Sequence, residues 1–149
     1  MAPAELLLVA VRWAHAMAAV AWVGGNLFLL WVLEPALRSF SGSEGSGPLW
    51  RAVSQGFREL TDASIIVFII SGAVLTFDRL SSVAASPAYA GVLAAKLALA
   101  LVAFFLAARL RRAEPARRLW LARWQVGLGA LIILLAAVLK TLYESGLTG

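Results

Sequence analysis

Four apolar runs dominate this chain, and their length decides what it can become. They cover Leu6–Leu33, interrupted only by Arg12, His15 and Asn26; Ala63–Phe77; Ala88–Ala108, broken by Lys96; and Val126–Tyr143, broken by Lys140. A helix rises about 1.5 Å per residue, so roughly 20 residues cross a hydrocarbon layer about 30 Å thick. Each run reaches or nearly reaches that length. Backbone groups in lipid must be satisfied internally, and no run alternates as a barrel strand does. The expectation is an all-α, polytopic membrane four-helix bundle: a single transmembrane domain over residues 1–149, with spans at about 6–33, 63–79, 88–109 and 124–143. Composition agrees. With 62% hydrophobic and 14% charged residues, and a mean hydropathy of +0.86, a soluble domain of this size would have too apolar a surface to stay dispersed.

Charge sets an expected orientation. The net charge is +5, but the arginines sit beside apolar spans, so membrane topology accounts for them and no nucleic-acid partner is expected. Five arginines fall in the third loop, at Arg109, Arg111, Arg112, Arg117 and Arg118, and the first loop region carries Arg38, Arg51 and Arg58. The second has only Arg79. The positive-inside rule then puts both basic loops in the cytoplasm and both termini outside. Ser39 to Pro48 reads as a Gly/Ser linker. After it, Leu49, Trp50, Val53, Phe57 and Leu60 recur at helical spacing, which predicts an interfacial helix running into the second span. The opening MAPAEL has no basic n-region, and the apolar run behind it is too long for a signal-peptide core, so it reads as a retained span. A multi-pass protein of a bacterial-type plasma (inner) membrane is expected. No repeat is visible.

With that topology, scattered polar residues gather. The first and third helices run inward, so the only histidine, His15, lies ~13 Å below the outer end of its span and Lys96 ~12 Å below its own. Arg12 is one turn above His15, while Asp78, Arg79 and Lys140 fall near the outer interface. The inner half of the spans is expected to be almost purely apolar. Ionisable groups at such depth usually face a cavity or ligand. The plainer readings are that His15 hydrogen-bonds to a neighbouring helix, that Lys96 and Lys140 snorkel, and that Asp78 caps its helix or pairs with Arg79.

At 100° per residue, His15, Ala18, Ala19, Trp22 and Gly25 share a face, and Met17 points away from it. Small residues at such spacing serve close helix packing, and they would also admit a flat macrocycle against the backbone. Haem asks for one axial histidine, a dry slot and cations for its propionates; His15, with Arg12 and Lys96, supplies that set. The sixth position stays open between a neutral Lys96, a water and nothing, and bis-histidine ligation would need a homo-oligomer. Copper prefers several soft or imidazole ligands. One histidine, two methionines and no cysteine are a thin set for it. The missing cysteines also exclude iron–sulfur clusters and disulfides. A serine-based triad and a phosphate-binding glycine motif are both absent.

His15, Trp22, Val23, Gly24 and Gly25, in the order His-x6-Trp-Val-Gly-Gly, resemble the first helix of the copper-resistance protein D (CopD) domain. Tyr89-Ala90-Gly91 followed by Lys96-Leu97 resembles the start of a later helix of that domain, and Ser71-Gly72 and the arginine-rich loop fit as well. The same elements resemble the HemJ-type protoporphyrinogen oxidases, with Trp124 and Lys140 a looser match in the last span. That second resemblance implies a haem b protein in which His15 and Lys96 are functional. The expected function is therefore redox: a haem b protein with His15 as axial metal ligand, transferring electrons or oxidising a porphyrinogen or quinol, with a redox partner or quinone beside the lipid bilayer. A copper-handling permease domain and a non-catalytic membrane partner subunit are the alternatives.

Overall fold

The computed structural model describes residues 2–39, 46–81, 87–112 and 115–148. Most of the expected Gly/Ser linker, residues 40–45, lies outside them. The described residues form helix α1 (Pro3–Phe28), a π-helical turn (Leu29–Leu33), a short α2 (Glu34–Ser39), α3 (Ser46–Leu80), α4 (Pro87–Arg112) and α5 (Pro115–Thr148). Proline opens α1, α4 and α5, where its missing N–H removes no intrahelical bond and its fixed φ already suits the helix. At the start of α1, the Ala2 N–H donates to Glu5 Oε2 at 2.9 Å.

Four stretches are long and apolar enough to cross a membrane: Pro3–Ala36, Arg51–Leu80, Pro87–Leu110 and Arg117–Ser145. They coincide with the four runs read from the sequence and extend past them. The chain is an all-α four-helix membrane bundle. The amphipathic stretch before the second span and the span itself make one continuous helix of 35 residues. At 1.5 Å per residue that is ~52 Å, well beyond the hydrocarbon layer.

The π turn has a local cause. Pro35 has no N–H to donate to the carbonyl of residue 31, and its ring would collide with that carbonyl in a regular α-helix. One wide turn relieves the collision, and the Glu34 N–H reaches back five residues to the Leu29 carbonyl.

The helices pack in antiparallel pairs. Arg12 meets Asp78 at one end of the α1–α3 pair, and Gly25 meets Phe57 towards the other. In the α4–α5 pair, Tyr89 packs with Tyr143 at one end and Gln125 bonds to Ala103 towards the other. The two pairs join mainly along α1 and α5, while α3 and α4 touch at few points. Both termini therefore lie at one end, here the terminal end; the other end carries most of the arginines and is here the basic end.

The burial pattern is that of a protein in lipid. Large apolar side chains such as Trp13, Trp31, Ile70, Phe77 and Leu101 point outward, whereas Asn26, Thr61, Ser64, Ser71 and Gln125 are buried. Lipid offers apolar groups no reason to leave it, so helices associate by close packing and interhelical polar contacts. Ala18, Ala103, Ala107 and Ala122 fill the interior. Buried polar groups on the basic side of the interior correct the expectation of an almost purely apolar inner half. Asn26 Nδ2 donates to the Trp22 carbonyl at 2.8 Å, and Gln125 Nε2 donates to the Ala103 carbonyl at 2.9 Å. Their buried amide oxygens, Asn26 Oδ1 and Gln125 Oε1, find no protein donor.

At Gly129, α5 lies close against α1. A Cβ placed on Gly129 would lie 2.7 Å from Val23 Cγ2, and a β-branched valine in a helix has one strongly favoured rotamer. Gly129→Ala is thus expected to force the helices apart and to cost about 1–3 kcal/mol, read as a lower Tm in detergent. Gly127→Ala, with open space around it, is expected to hold or raise the Tm, because alanine is the better helix former.

Candidate functional site

His15 sits a little over three turns into α1, with its ring turned towards α3. Its Nδ1 lies 2.7 Å from Ser71 Oγ, and the ring meets Phe68 edge-on with centroids 5.1 Å apart. A backbone without a side chain, Gly72, lies beside it: a Cβ built there would be 3.9 Å from His15 Cε1. Histidine and serine lie level because α1 and α3 are antiparallel and their Arg12–Asp78 and Gly25–Phe57 contacts fix the register.

The bond pattern defines the tautomer. Ser71 has one hydroxyl hydrogen, and it is donated to the Val67 carbonyl one turn earlier. Ser71 Oγ must then accept from His15, so Nδ1 carries the proton in this bond. A neutral ring in that tautomer keeps the lone pair of Nε2 for a metal ion or a proton. Fixing one imidazole nitrogen to orient the other is the usual support for a histidine ligand. Ser71 itself is 4% exposed, so the support is held away from competing donors.

Below His15, towards the basic end, the site is aromatic. Phe68 packs edge-on against Trp22 at 5.8 Å and stacks with Phe104 of α4 at 6.2 Å; Trp22 and Phe104 are tilted at 6.4 Å. These rings join α1, α3 and α4 where α3 and α4 otherwise barely touch. Lys96 is half-buried on α4, the helix that reaches this site through Phe104.

The other expected residues fall as follows. Ala18 and Trp22 are buried and Ala19 half-buried on the His15 face, and Met17 is exposed away from it. Gly25, also half-buried, faces a ring: its Cβ would lie 3.1 Å from Phe57 Cε2, so this glycine admits α3. Arg12 pairs with Asp78 at 3.3 Å and does not bond to His15. Asp78 thus reaches across to α1, where the sequence suggested a cap or Arg79 as its partner. Arg79 instead lies over the Tyr143 ring at 3.8 Å. Lys140 is exposed and pairs with Glu144 at 3.8 Å, as a snorkelling lysine would. Ser71, Phe68 and Phe104 complete the surroundings of His15, and of these only Ser71 had a sequence signal, through its small neighbour Gly72.

Compared with protein-family models, with curated proteins and with solved structures, the chain matches none. Its chemistry therefore has to be read from the site. Among the described residues no three His, Cys, Asp or Glu side chains cluster as a metal site. What the site offers is one oriented imidazole and aromatic walls, with a half-buried lysine on the adjoining helix.

The Arg12–Asp78 pair is half-exposed, with side-chain accessibilities of 47% and 30%. A double-mutant cycle of Arg12→Ala and Asp78→Ala, read by thermal unfolding, is expected to give a coupling of about 0.2–1 kcal/mol. A value well above that would place the pair in a drier setting than its exposure indicates.

Proposed function

We propose that this protein binds a b-type haem in the membrane through His15 and performs redox chemistry there, as an electron carrier or as an oxidase of a small hydrophobic substrate such as a porphyrinogen or quinol. The observation that carries the reading is the Ser71–His15 bond, which occupies Nδ1 and leaves Nε2 as the ligand nitrogen. The resemblance of His15, Trp22, Gly25 and Lys96 to HemJ-type proteins points the same way.

Haem would supply the one-electron chemistry, and the protein its binding, orientation and electrostatics. His15 would hold the iron through Nε2, with Ser71 fixing the ring through Nδ1. Ala18 and Ala19 put only methyl groups on its face, and Trp22, Phe68 and Phe104 close the basic side. Lys96 is the cation available to a propionate or to the distal face, and Arg12, one turn nearer the terminal end, is the second. The copper reading has less support, because a copper ion prefers several imidazole or soft ligands and the described residues bring no such group together.

Detergent-purified protein expressed with ample haem is expected to show a Soret band that shifts on reduction. His15→Ala should abolish or displace it, and Ser71→Ala should weaken haem retention about 10- to 100-fold by freeing the ring. A colourless wild-type protein would overturn the proposal and leave the non-catalytic subunit as the better reading.

The orientation belongs to the same proposal: a bacterial-type plasma membrane, with the basic end in the cytoplasm and the termini outside. Because the chain has no cysteine, single substitutions report cleanly. Ser145→Cys should react with a membrane-impermeant maleimide in intact spheroplasts, and Arg112→Cys only after lysis. The opposite pattern would reverse the topology.

A further inference from the structure

The positive-inside rule explains why arginines collect at one end of a bundle, but not why several of them should converge on one hollow. Here they do. Arg51, Ser54, Gln55 and Arg58 of α3 and Arg118 of α5 line a cavity of about 480 Å³, within the roughly 300–1,000 Å³ typical of small-molecule sites. The four α3 residues follow the i, i+3, i+4, i+7 spacing of a single helix face. Arg118 comes from the start of the last helix, far from them in sequence.

Among the described residues, no carboxylate lines it. Glu59 takes the Gln55 Nε2 hydrogen at 3.2 Å from outside the lining. Arg51 and Arg58 are exposed and make no ion pair among the described residues. Arg51 and Arg58, two turns apart on one face of α3 and lining a shared hollow, repel one another unless an anion joins them, and their planar donor forks match phosphate oxygens. The Ser54 hydroxyl is a further donor on the same face.

The depth of the hollow selects the anion. Trp120 and Trp124, two and six residues along α5 from Arg118, are each 53% exposed and pack edge-on at 5.7 Å. Exposed tryptophans next to a span mark the headgroup level of a bilayer. The cavity therefore opens where lipid phosphates lie, beside outward-facing apolar surface that includes Leu60. Basic pockets between helices at this level are suited to anionic headgroups.

We propose that this cavity is a binding site for the phosphate of an anionic phospholipid from the leaflet at the basic end. It is independent of the haem site, which lies towards the opposite end of α1 and α3.

The test uses the full-length chain in a neutral detergent and native mass spectrometry with phosphatidylglycerol and phosphatidylcholine of identical acyl chains. Wild-type protein is expected to retain phosphatidylglycerol in preference. The Arg51→Gln/Arg58→Gln variant should lose about tenfold or more of that retention, while Arg112→Gln/Arg117→Gln, which removes equal charge from the same end outside the cavity, should stay within about twofold. Equal losses in the two variants, or no lipid preference in the wild type, would overturn the site. Unchanged melting curves establish that both variants are folded; if the first unfolds, the wild-type preference and Arg118→Gln alone decide. In a second arm, glycerol 3-phosphate competes for the bound lipid. Weak competition supports the lipid, and displacement at equal concentration would make the ligand a soluble phosphate ester and overturn the lipid assignment.

Discussion

A backbone surrounded by hydrocarbon has nothing to hydrogen-bond but itself, and the rest of this structure follows from that. It makes each apolar run a helix and denies the runs any hydrophobic reason to associate. What remains is contact between surfaces. Gly129 lets Val23 approach, Gly25 lets Phe57 approach, and alanines fill the interior. The same logic turns polarity inward: Asn26 and Gln125 are each 2% exposed, and each donates an amide hydrogen to a backbone carbonyl because lipid offers no alternative.

The register set by those contacts gives His15 its setting. Had α1 been displaced by one turn along α3, the imidazole would have faced Val67 or Leu75 rather than Ser71, and both ring nitrogens would have lacked a side-chain partner there. Instead a serine that already bonds to its own helix accepts the Nδ1 proton. Haem ligation, as proposed, builds on that bond, and so would any other role for Nε2. The two ends of the bundle then divide the work. The terminal end holds the imidazole, Lys96 and the Arg12–Asp78 pair; the basic end gathers guanidinium groups at headgroup depth.

Much of this was legible in the sequence. The four spans needed only run length, and the His15 face needed only the 100° step, which placed Met17 outward and Ala18 and Trp22 inward as found. Depth counting placed Lys96 in the terminal half of its span, where α4 carries it. Other features had no signal. Asp78 and Arg79 are neighbours in sequence, but adjacent helical residues diverge by about 100°, so Asp78 found Arg12 and Arg79 found Tyr143. Gln125 bonds to a backbone carbonyl, a partner that every residue carries, so no side-chain pattern could announce it.

The sequence by itself determined the number of spans, where each lies and the face the first one turns inward, because hydropathy and the helical repeat act locally and need no neighbour. Only the tertiary structure decided which nitrogen of His15 is occupied, which cation Asp78 meets and that Arg118 joins Arg51 and Arg58 around one cavity. Those outcomes depend on how the helices are rotated and shifted against one another. Hydrogen bonds and ion pairs are lost over about an ångström of such movement, whereas the apolar pattern that specifies a span is indifferent to it.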